Sequence, residues 1–174
     1  FGGHIAIHSG LITTTNTESE LASVVAHEIS HVTQRHLARR LASNDRTQSL
    51  TMASIVSSVL LTLINPSLGM AALSTTMAAS QQAGINYTRS NEKEADRVGI
   101  QTLANAGMNP KAAAQMFQHM LVRTRYNDRL KQFDFMLTHP LTEARVSDAF
   151  NQARKYPEKT AVIDSQGKYS YQFV

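Results

Sequence analysis

A five-residue motif constrains the fold of this chain more than any other feature: residues 27 to 31 read H-E-x-x-H. Its two histidines are four residues apart, and side chains at that spacing lie on one face of an α-helix. Thr17 and Glu20 form an S/T-x-x-E signal for the start of a helix ahead of the motif. Apolar residues then recur at helical spacing, at Leu21, Val25, Ile29 and Val32. The sequence therefore predicts a helix over residues 17–41 with the motif near its middle.

The spacing of His27 and His31 lets two imidazoles hold one metal ion, and zinc is the ion typical of this motif. Glu28 lies ~100° around the helix from His27, close to the ion without competing for it, where a general base is needed. Two ligands alone hold zinc poorly, so a third is required. The chain has no cysteine, which leaves His, Asp or Glu for that position.

A second predicted helix, over residues 91–106, carries Glu92 and Asp96 one turn apart. Glu92 is the candidate third ligand of one zinc ion per chain. Asp96 can hydrogen-bond the outer nitrogen of a ligand histidine and fix its orientation. The alternative is that both acids stabilise the start of a helix through its dipole. That alternative does not account for their pairing with the upstream motif.

Two residues near the end of the chain are further candidates. His139 precedes a proline in a predicted turn, from which its side chain can enter the cleft. It could donate to the oxyanion or occupy the fourth zinc position, and a histidine that only stabilises the turn is the alternative. Arg145 could pair with Asp96 or Glu94, or bind the oxyanion, and an exposed helix arginine is the alternative.

The other histidines are expected to lie outside the site. His36 is ~140° around the same predicted helix from His31, which faces it away from the metal. His119 is expected to be structural. His4 and His8 share one face of a predicted strand or hairpin over residues 4–12, with which an extended substrate is expected to pair.

Length and composition fit one globular domain of 174 residues, 42% hydrophobic and 17% charged. The formal net charge is +4, but the basic residues are scattered and have no aromatic platform among them, which argues against nucleic-acid binding. Two apolar stretches, residues 50–64 and 68–79, each fall short of the ~20 residues of a membrane-spanning helix. We expect them to form a pair of buried or groove-lining helices, and insertion into a membrane is the alternative. Further elements are predicted as helices over residues 110–122 and 141–155 and a strand-like tail over residues 169–174.

The context of these motifs resembles a known family in four segments: Val25 to His31, Thr33 to His36, Asn91 to Asp96 and Thr138 to Leu141. They resemble the HtpX/Ste-type (CAAX prenyl endopeptidase-like) zinc metallopeptidases, and are closer still to the periplasmic BepA-type branch. The resemblance implies an α+β, mainly α-helical, gluzincin-like domain over residues 1–174, with a small edge β-sheet packed on the motif helix. It also implies that a signal sequence and a tetratricopeptide-repeat domain belong to the same protein outside this chain.

By the same resemblance, the chain is expected to be a periplasmic zinc endopeptidase acting on misfolded or stalled outer-membrane proteins. Its expected partners are unfolded or misassembled substrates and the outer-membrane β-barrel assembly machinery, with peripheral contact to a membrane. Two alternatives stay open. One is a chaperone-like client-binding module with little proteolysis, which would bind clients with Glu28 replaced. The other is a structural helical protein with a fortuitous motif, which would hold no metal.

Overall fold

The computed structural model describes residues 3–7, 9–126 and 139–157. These residues form six α-helices, which we number in chain order: α1 Ser9–Ile12, α2 Glu18–Thr33, α3 His36–Ile64, α4 Pro66–Asn105, α5 Lys111–Tyr126 and α6 Glu143–Ala153. The mainly helical prediction is confirmed. No strand occurs in the described ranges, so the edge sheet is absent from them. The predicted strand over residues 4–12 is wrong, because residues 3–7 are irregular and Ser9 begins a short helix; the predicted tail strand lies outside the described residues.

The chain divides into two compact units, residues 1–29 with 96–174 and residues 30–95. In the first unit, apolar side chains from the described helices form one core. Its buried members are Leu11, Val24, Ile100, Ala113, Ala114, Met116, Phe117, Met120, Ala149 and Ala153. Burying such a cluster is the main stabilising contribution to a unit of this kind. The same helices carry His27, Asp96 and Arg145.

Local hydrogen bonds explain where the helices of the first unit begin and end. Thr17 caps α2, since its Oγ1 accepts from the backbone N–H of Glu20 at 3.1 Å. Gly107 has φ 79° and follows α4, and the N–H of Met108 donates to the carbonyl of Leu103 at 3.1 Å, which is a Schellman closure. Asn109 starts α5, because its Oδ1 accepts from the N–H of Lys111 at 3.0 Å. These three boundaries match the sequence predictions.

The second unit contains a long helical hairpin, made of α3 and most of α4. Helix α2 ends at Thr33, and Arg35 takes the left-handed conformation with φ 53°, so His36 starts a new helix. The prediction of one helix over residues 17–41 is therefore wrong at its end. The polar residues 43–48 do not interrupt α3, and the predicted helix over residues 91–106 is the second half of α4. At Gly69 the helices approach closely, since a Cβ there would lie 2.5 Å from Thr62 Cα.

The expectation that the two apolar stretches are too short to span a membrane is wrong for α3, and so is the expectation that they are buried; the groove-lining alternative stays a prediction. Judged by length and composition alone, α3 is the one helix in the described part of the chain that is long and apolar enough to cross a membrane. Only 6% of its apolar window is buried. Leu50, Met52, Met70 and Met77 are exposed. The hairpin therefore presents an apolar surface that a binding partner can cover.

Candidate metal centre

His27 of α2 is buried in the first unit and is held by Asp96 of α4. Its Nδ1 lies 2.9 Å from Asp96 Oδ1, and its ring meets Phe117 edge to face at 6.4 Å between centroids. A hydrogen bond at Nδ1 fixes the ring and keeps the lone pair of Nε2 available for a ligand. Gly99, one turn beyond Asp96 on α4, permits this approach, because a Cβ there would lie 3.2 Å from His27 Cα and from its backbone nitrogen.

Arg145 of α6 holds Asp96 from the other side. Its Nη2 donates to Oδ1 at 2.7 Å and its Nε to Oδ2 at 2.9 Å, while Nη1 donates to the carbonyl of Pro140 at 3.1 Å. The guanidinium also lies 5.0 Å from the centroid of the Phe117 ring. Burial alone would raise the pKa of Asp96, but the hydrogen bonds from His27 and Arg145 and the charge of Arg145 bring that pKa below its ordinary value. Asp96 is therefore an ionised, buried anchor.

Glu28 and His139 lie beside His27 in the first unit. His139 Nδ1 is 3.5 Å from His27 Nε2, and His139 Nε2 is 3.6 Å from Glu28 Oε1. The rings of the two histidines are nearly perpendicular, with centroids 5.2 Å apart. Glu28 Oε1 is buried and has no hydrogen-bond partner among the residues that the structure describes. A buried carboxylate oxygen without a hydrogen-bond partner is available to take a proton from water.

In the second unit, His31 faces Glu92. Its Nε2 lies 3.4 Å from Glu92 Oε1, and the carboxylate is buried. His31 comes one turn after His27 on the same helix, α2. Likewise, Glu92 comes one turn before Asp96 on α4. Helix α2 thus carries both histidines, and α4 carries the acidic residue that contacts each of them.

A histidine that the sequence predicted to face away supports His31. His36 is buried, and its Nδ1 lies 2.8 Å from His31 Nδ1. Its Nε2 lies 3.2 Å from Glu94 Oε2, which Arg39 also holds at 2.6 Å. The prediction failed because it extended α2 through His36, whereas Arg35 breaks the helix and reorients the ring.

The protonation states in this chain of contacts are consistent with one another. Burial lowers the pKa of His36 more than the hydrogen bond and charge of Glu94 raise it, so its neutral form is favoured. The hydrogen bond from Arg39 and the contact with His36 lower the pKa of Glu94 despite some desolvation. A neutral His36 that donates from Nε2 to Glu94 can accept at Nδ1 from His31. His31 then carries its proton on Nδ1 and offers the lone pair of Nε2.

Within each unit, the spacing of the donor atoms fits tetrahedral coordination of a metal ion. Metal–nitrogen bonds of ~2.0–2.1 Å in that geometry put neighbouring ligand atoms ~3.3–3.4 Å apart. His31 Nε2 and Glu92 Oε1 in the second unit are 3.4 Å apart, and His27 Nε2 and His139 Nδ1 in the first are 3.5 Å apart. Both distances exceed that of a good hydrogen bond. Imidazole and carboxylate donors at this spacing suit an ion of the size and softness of zinc.

The structure places the remaining sequence candidates as follows. Arg145 is buried and contacts Asp96, so the reading of an exposed helix arginine is wrong. His119 lies 3.1 Å from the side chain of Asn16 and 3.3 Å from Glu20 Oε1. His4 is exposed and not in a strand, so a substrate-pairing strand at that position is not supported, and His8 lies outside the described residues.

An H-E-x-x-H motif on a helix is the signature of metal-dependent peptidases. Residues 1–153 match peptidase family M48. This chain belongs to that family.

Named relatives agree with the class. The beta-barrel assembly-enhancing protease of Yersinia pestis is 48% identical over 162 residues, which are 92% of this chain and 33% of that protein. The protein of the same name from Escherichia coli K12 is 46% identical over 155 residues, 89% of this chain and 31% of that protein. A mitochondrial metalloendopeptidase, OMA1 of Arabidopsis thaliana, is 29% identical over 143 residues, 82% of this chain and 26% of that protein. The chain therefore spans about a third or less of the length of these relatives.

Proposed function

We propose that this chain is the catalytic domain of a zinc-dependent endopeptidase, with His27, His31 and Glu92 as metal ligands and Glu28 as general base. The observation that carries the proposal is the anchoring of both motif histidines. Asp96 holds His27 and His36 holds His31, each at Nδ1, so each ring can offer Nε2. His139 is a fourth candidate ligand, and a donor to the oxyanion is its alternative role.

The residues of the chain divide the chemistry between them. Zinc held there supplies Lewis acidity, which lowers the pKa of a water molecule and polarises a peptide carbonyl. Glu28 takes the proton of the attacking water at Oε1 and gives it to the leaving amine. Asp96, itself held by Arg145, keeps the proton of His27 on Nδ1 and fixes the direction of the ring. Fixed directions of this kind are what a preorganised site requires.

The names of the relatives support a proposal for the substrates and the compartment. Proteins called beta-barrel assembly-enhancing proteases in Yersinia pestis and Escherichia coli support misfolded or stalled outer-membrane proteins as substrates. A periplasmic location and contact with the β-barrel assembly machinery belong to the same proposal. The exposed apolar surface of the hairpin is compatible with binding of unfolded chains.

The first experiment measures metal content by elemental analysis in wild type and in Glu92→Gln. About one zinc ion per wild-type chain and a sharp loss in the variant are expected. Glu18→Gln, an exposed site on α2, is the matched control and should keep its zinc. Equal zinc in wild type and Glu92→Gln would remove Glu92 from the ligand set, and no zinc in wild type would contradict the proposal.

The second experiment separates proteolysis from client binding, the alternative function. Glu28→Gln keeps the three ligands and removes the base, so zinc content and binding of an unfolded outer-membrane protein should persist while peptide cleavage stops. Cleavage at the wild-type rate would exclude Glu28 as the base. A wild-type protein that holds zinc and binds clients but cleaves none of the tested substrates would favour the chaperone-like alternative.

A further inference from the structure

The α3–α4 hairpin carries an apolar surface that contains neither the candidate ligands nor the candidate base. No charged residue and no histidine occurs between Arg46 and Arg89. The most exposed large apolar side chains flank the turn, where Leu63 is 81% and Ile64 is 84% exposed. The patch continues along both helices through Leu50, Met52, Val56, Val59, Leu60, Leu68, Met70 and Met77. Many exposed large apolar side chains on one hairpin indicate an interaction site.

Seven hydroxyl groups of this segment are satisfied by the backbone of their own helix. Ser54, Ser57, Ser58 and Thr62 of α3 each donate to the carbonyl four residues earlier, at 2.7–3.0 Å. On α4, Ser74, Thr75 and Thr88 do the same at 2.8–3.1 Å. Such bonds let Ser and Thr enter an apolar medium at low cost, because the donor is already paired. The close approach at Gly69 resembles the small-residue crossings of helices in lipid.

Basic residues predominate where the uncharged segment ends. Residues 35–46 and 89–94 contain six basic and three acidic residues. The basic ones are Arg35, Arg39, Arg40, Arg46, Arg89 and Lys93, and the acidic ones are Asp45, Glu92 and Glu94. Glu92 is buried, and Glu94 is paired with Arg39. The exposed charge includes Arg40, Arg89 and Lys93. Anionic lipid headgroups are attracted to such positive charge near an apolar segment.

We propose that the tip of this hairpin, residues 50–79, inserts into one leaflet of a lipid bilayer with anionic headgroups. At ~1.5 Å per residue, Leu50–Ile64 extends ~21 Å and Leu68–Met77 ~14 Å, comparable with the ~15 Å of one hydrocarbon leaflet. Gln81, Gln82 and Asn86 follow on α4 and provide polar groups at headgroup depth. The most exposed apolar side chains lie at the turn, which is where insertion by the tip requires them. If another helix covered this hairpin, the apolar side chains along its helices would be buried instead.

The experiment uses the absence of tryptophan from the chain. Leu63→Trp places one reporter at the tip, and Gln115→Trp, at an exposed position of α5, is the control. With vesicles of phosphatidylglycerol and phosphatidylcholine, the tip reporter should shift to shorter wavelength and be quenched by brominated acyl chains, while the control reporter stays unchanged. Vesicles of phosphatidylcholine alone should bind several-fold more weakly.

A charge-insertion pair tests the same surface without a reporter. Leu63→Glu combined with Ile64→Glu should abolish sedimentation with the anionic vesicles. Gln101→Glu combined with Gln115→Glu adds the same charge at exposed sites of the first unit and should not. Unchanged circular dichroism and zinc content would show that both variants are folded. Because this surface is separate from the ligands, Glu92→Gln should bind vesicles as wild type does even where its zinc is lost.

Three outcomes would overturn the proposal. A tip reporter that stays solvent-exposed with vesicles would exclude insertion and favour a protein client. A tip reporter already shifted without lipid, in a protein whose sedimentation mass is that of a dimer, would assign the surface to a second copy. Equal vesicle binding by wild type and the double glutamate variant would place the lipid contact elsewhere.

Discussion

Asp96 and Arg145 face each other through two hydrogen bonds, of 2.7 and 2.9 Å, and both side chains are buried. The same Oδ1 that receives Arg145 Nη2 also lies 2.9 Å from His27 Nδ1. The pair therefore links α6 and the turn at Pro140 to a candidate metal ligand on α2. Removing one charge would leave the other buried without its partner, which is the costly way to break an ion pair.

Asp96→Asn is expected to lower the free energy of unfolding by about 3 kcal/mol, because it leaves Arg145 buried without a counter-charge. It also weakens the hydrogen bond at His27 Nδ1, which should reduce zinc affinity about 10- to 100-fold. Chemical denaturation of the metal-free protein and competition with a chelator measure the two effects. Asp45→Asn, at an exposed position of α3, should change neither. An Asp96→Asn protein with wild-type zinc affinity would exclude the anchoring role.

The acid dependence of stability should carry the same signature. The pKa of Asp96 lies below its ordinary value in the folded chain, so the unfolded chain binds that proton more readily. The contribution of Asp96 is then fully present above its unfolded pKa, about 3.9, and is lost as the pH falls through the lower folded value. Denaturation of the metal-free protein between neutral pH and pH 3 should show a shallower acid slope in Asp96→Asn than in wild type. Parallel slopes would contradict the ionised pair.

Gly99 and Gly84 lie on the same helix but have opposite surroundings. A Cβ at Gly99 would lie 3.2 Å from His27 Cα, whereas a Cβ at Gly84 would meet nothing within 4 Å. Gly84→Ala should stabilise the protein by up to about 1 kcal/mol through helix propensity. Gly99→Val should destabilise it by about 1–3 kcal/mol through overpacking and should displace His27, lowering zinc affinity. Thermal unfolding and zinc titration of both variants check this, and a neutral Gly99→Val would refute the close approach.

Local signals were readable from the sequence, and long-range ones were not. Thr17, Gly107 and Asn109 mark helix ends through hydrogen bonds to near neighbours, so their residue types reveal them. Arg35 gives no such signal, because arginine is rarely left-handed, and the helix was predicted to run through it. Residues 43–48 are polar and still continue α3, because the helix is exposed at 43–45 and at 48 and needs no apolar stripe there.

The candidate site shows the same division. The motif spacing predicted His27, Glu28 and His31 as a unit because one helix carries them. The sequence raised Asp96 as a partner of Arg145 but left Glu94 equally open, since the two residues are distant in the chain and only packing selects between them. The role of His36 was missed for the reason that the helix break was missed. The sequence shows a histidine five residues after His31, but the direction of its side chain depends on the backbone conformation of Arg35.

His36→Ala should lower zinc affinity about tenfold or more, since His31 then loses the acceptor for its Nδ1 proton. His36→Asn should retain more of the affinity, because the amide Oδ1 can take the place of the accepting Nδ1. Chelator competition measures both variants, and His119→Ala is the control, as its contacts are with Asn16 and Glu20. Equal zinc affinity in His36→Ala and wild type, with stability alone reduced, would leave His36 only a packing role.

His139→Ala separates the two active-site roles of that histidine. Its Nδ1 lies 3.5 Å from His27 Nε2, a spacing that suits two ligands of one ion better than a hydrogen bond. A fourth protein ligand would occupy the position that a substrate or water needs, so its removal should raise kcat/KM for peptide cleavage several-fold. Zinc content should stay near one per chain, since His27, His31 and Glu92 remain.

A fall of about 10²–10³ in kcat would instead identify His139 as a donor to the oxyanion. An unchanged rate would exclude both roles and leave a histidine of the turn. The Glu28→Gln, His139→Ala double variant should be inactive in every case, which assigns any gain in rate to this site.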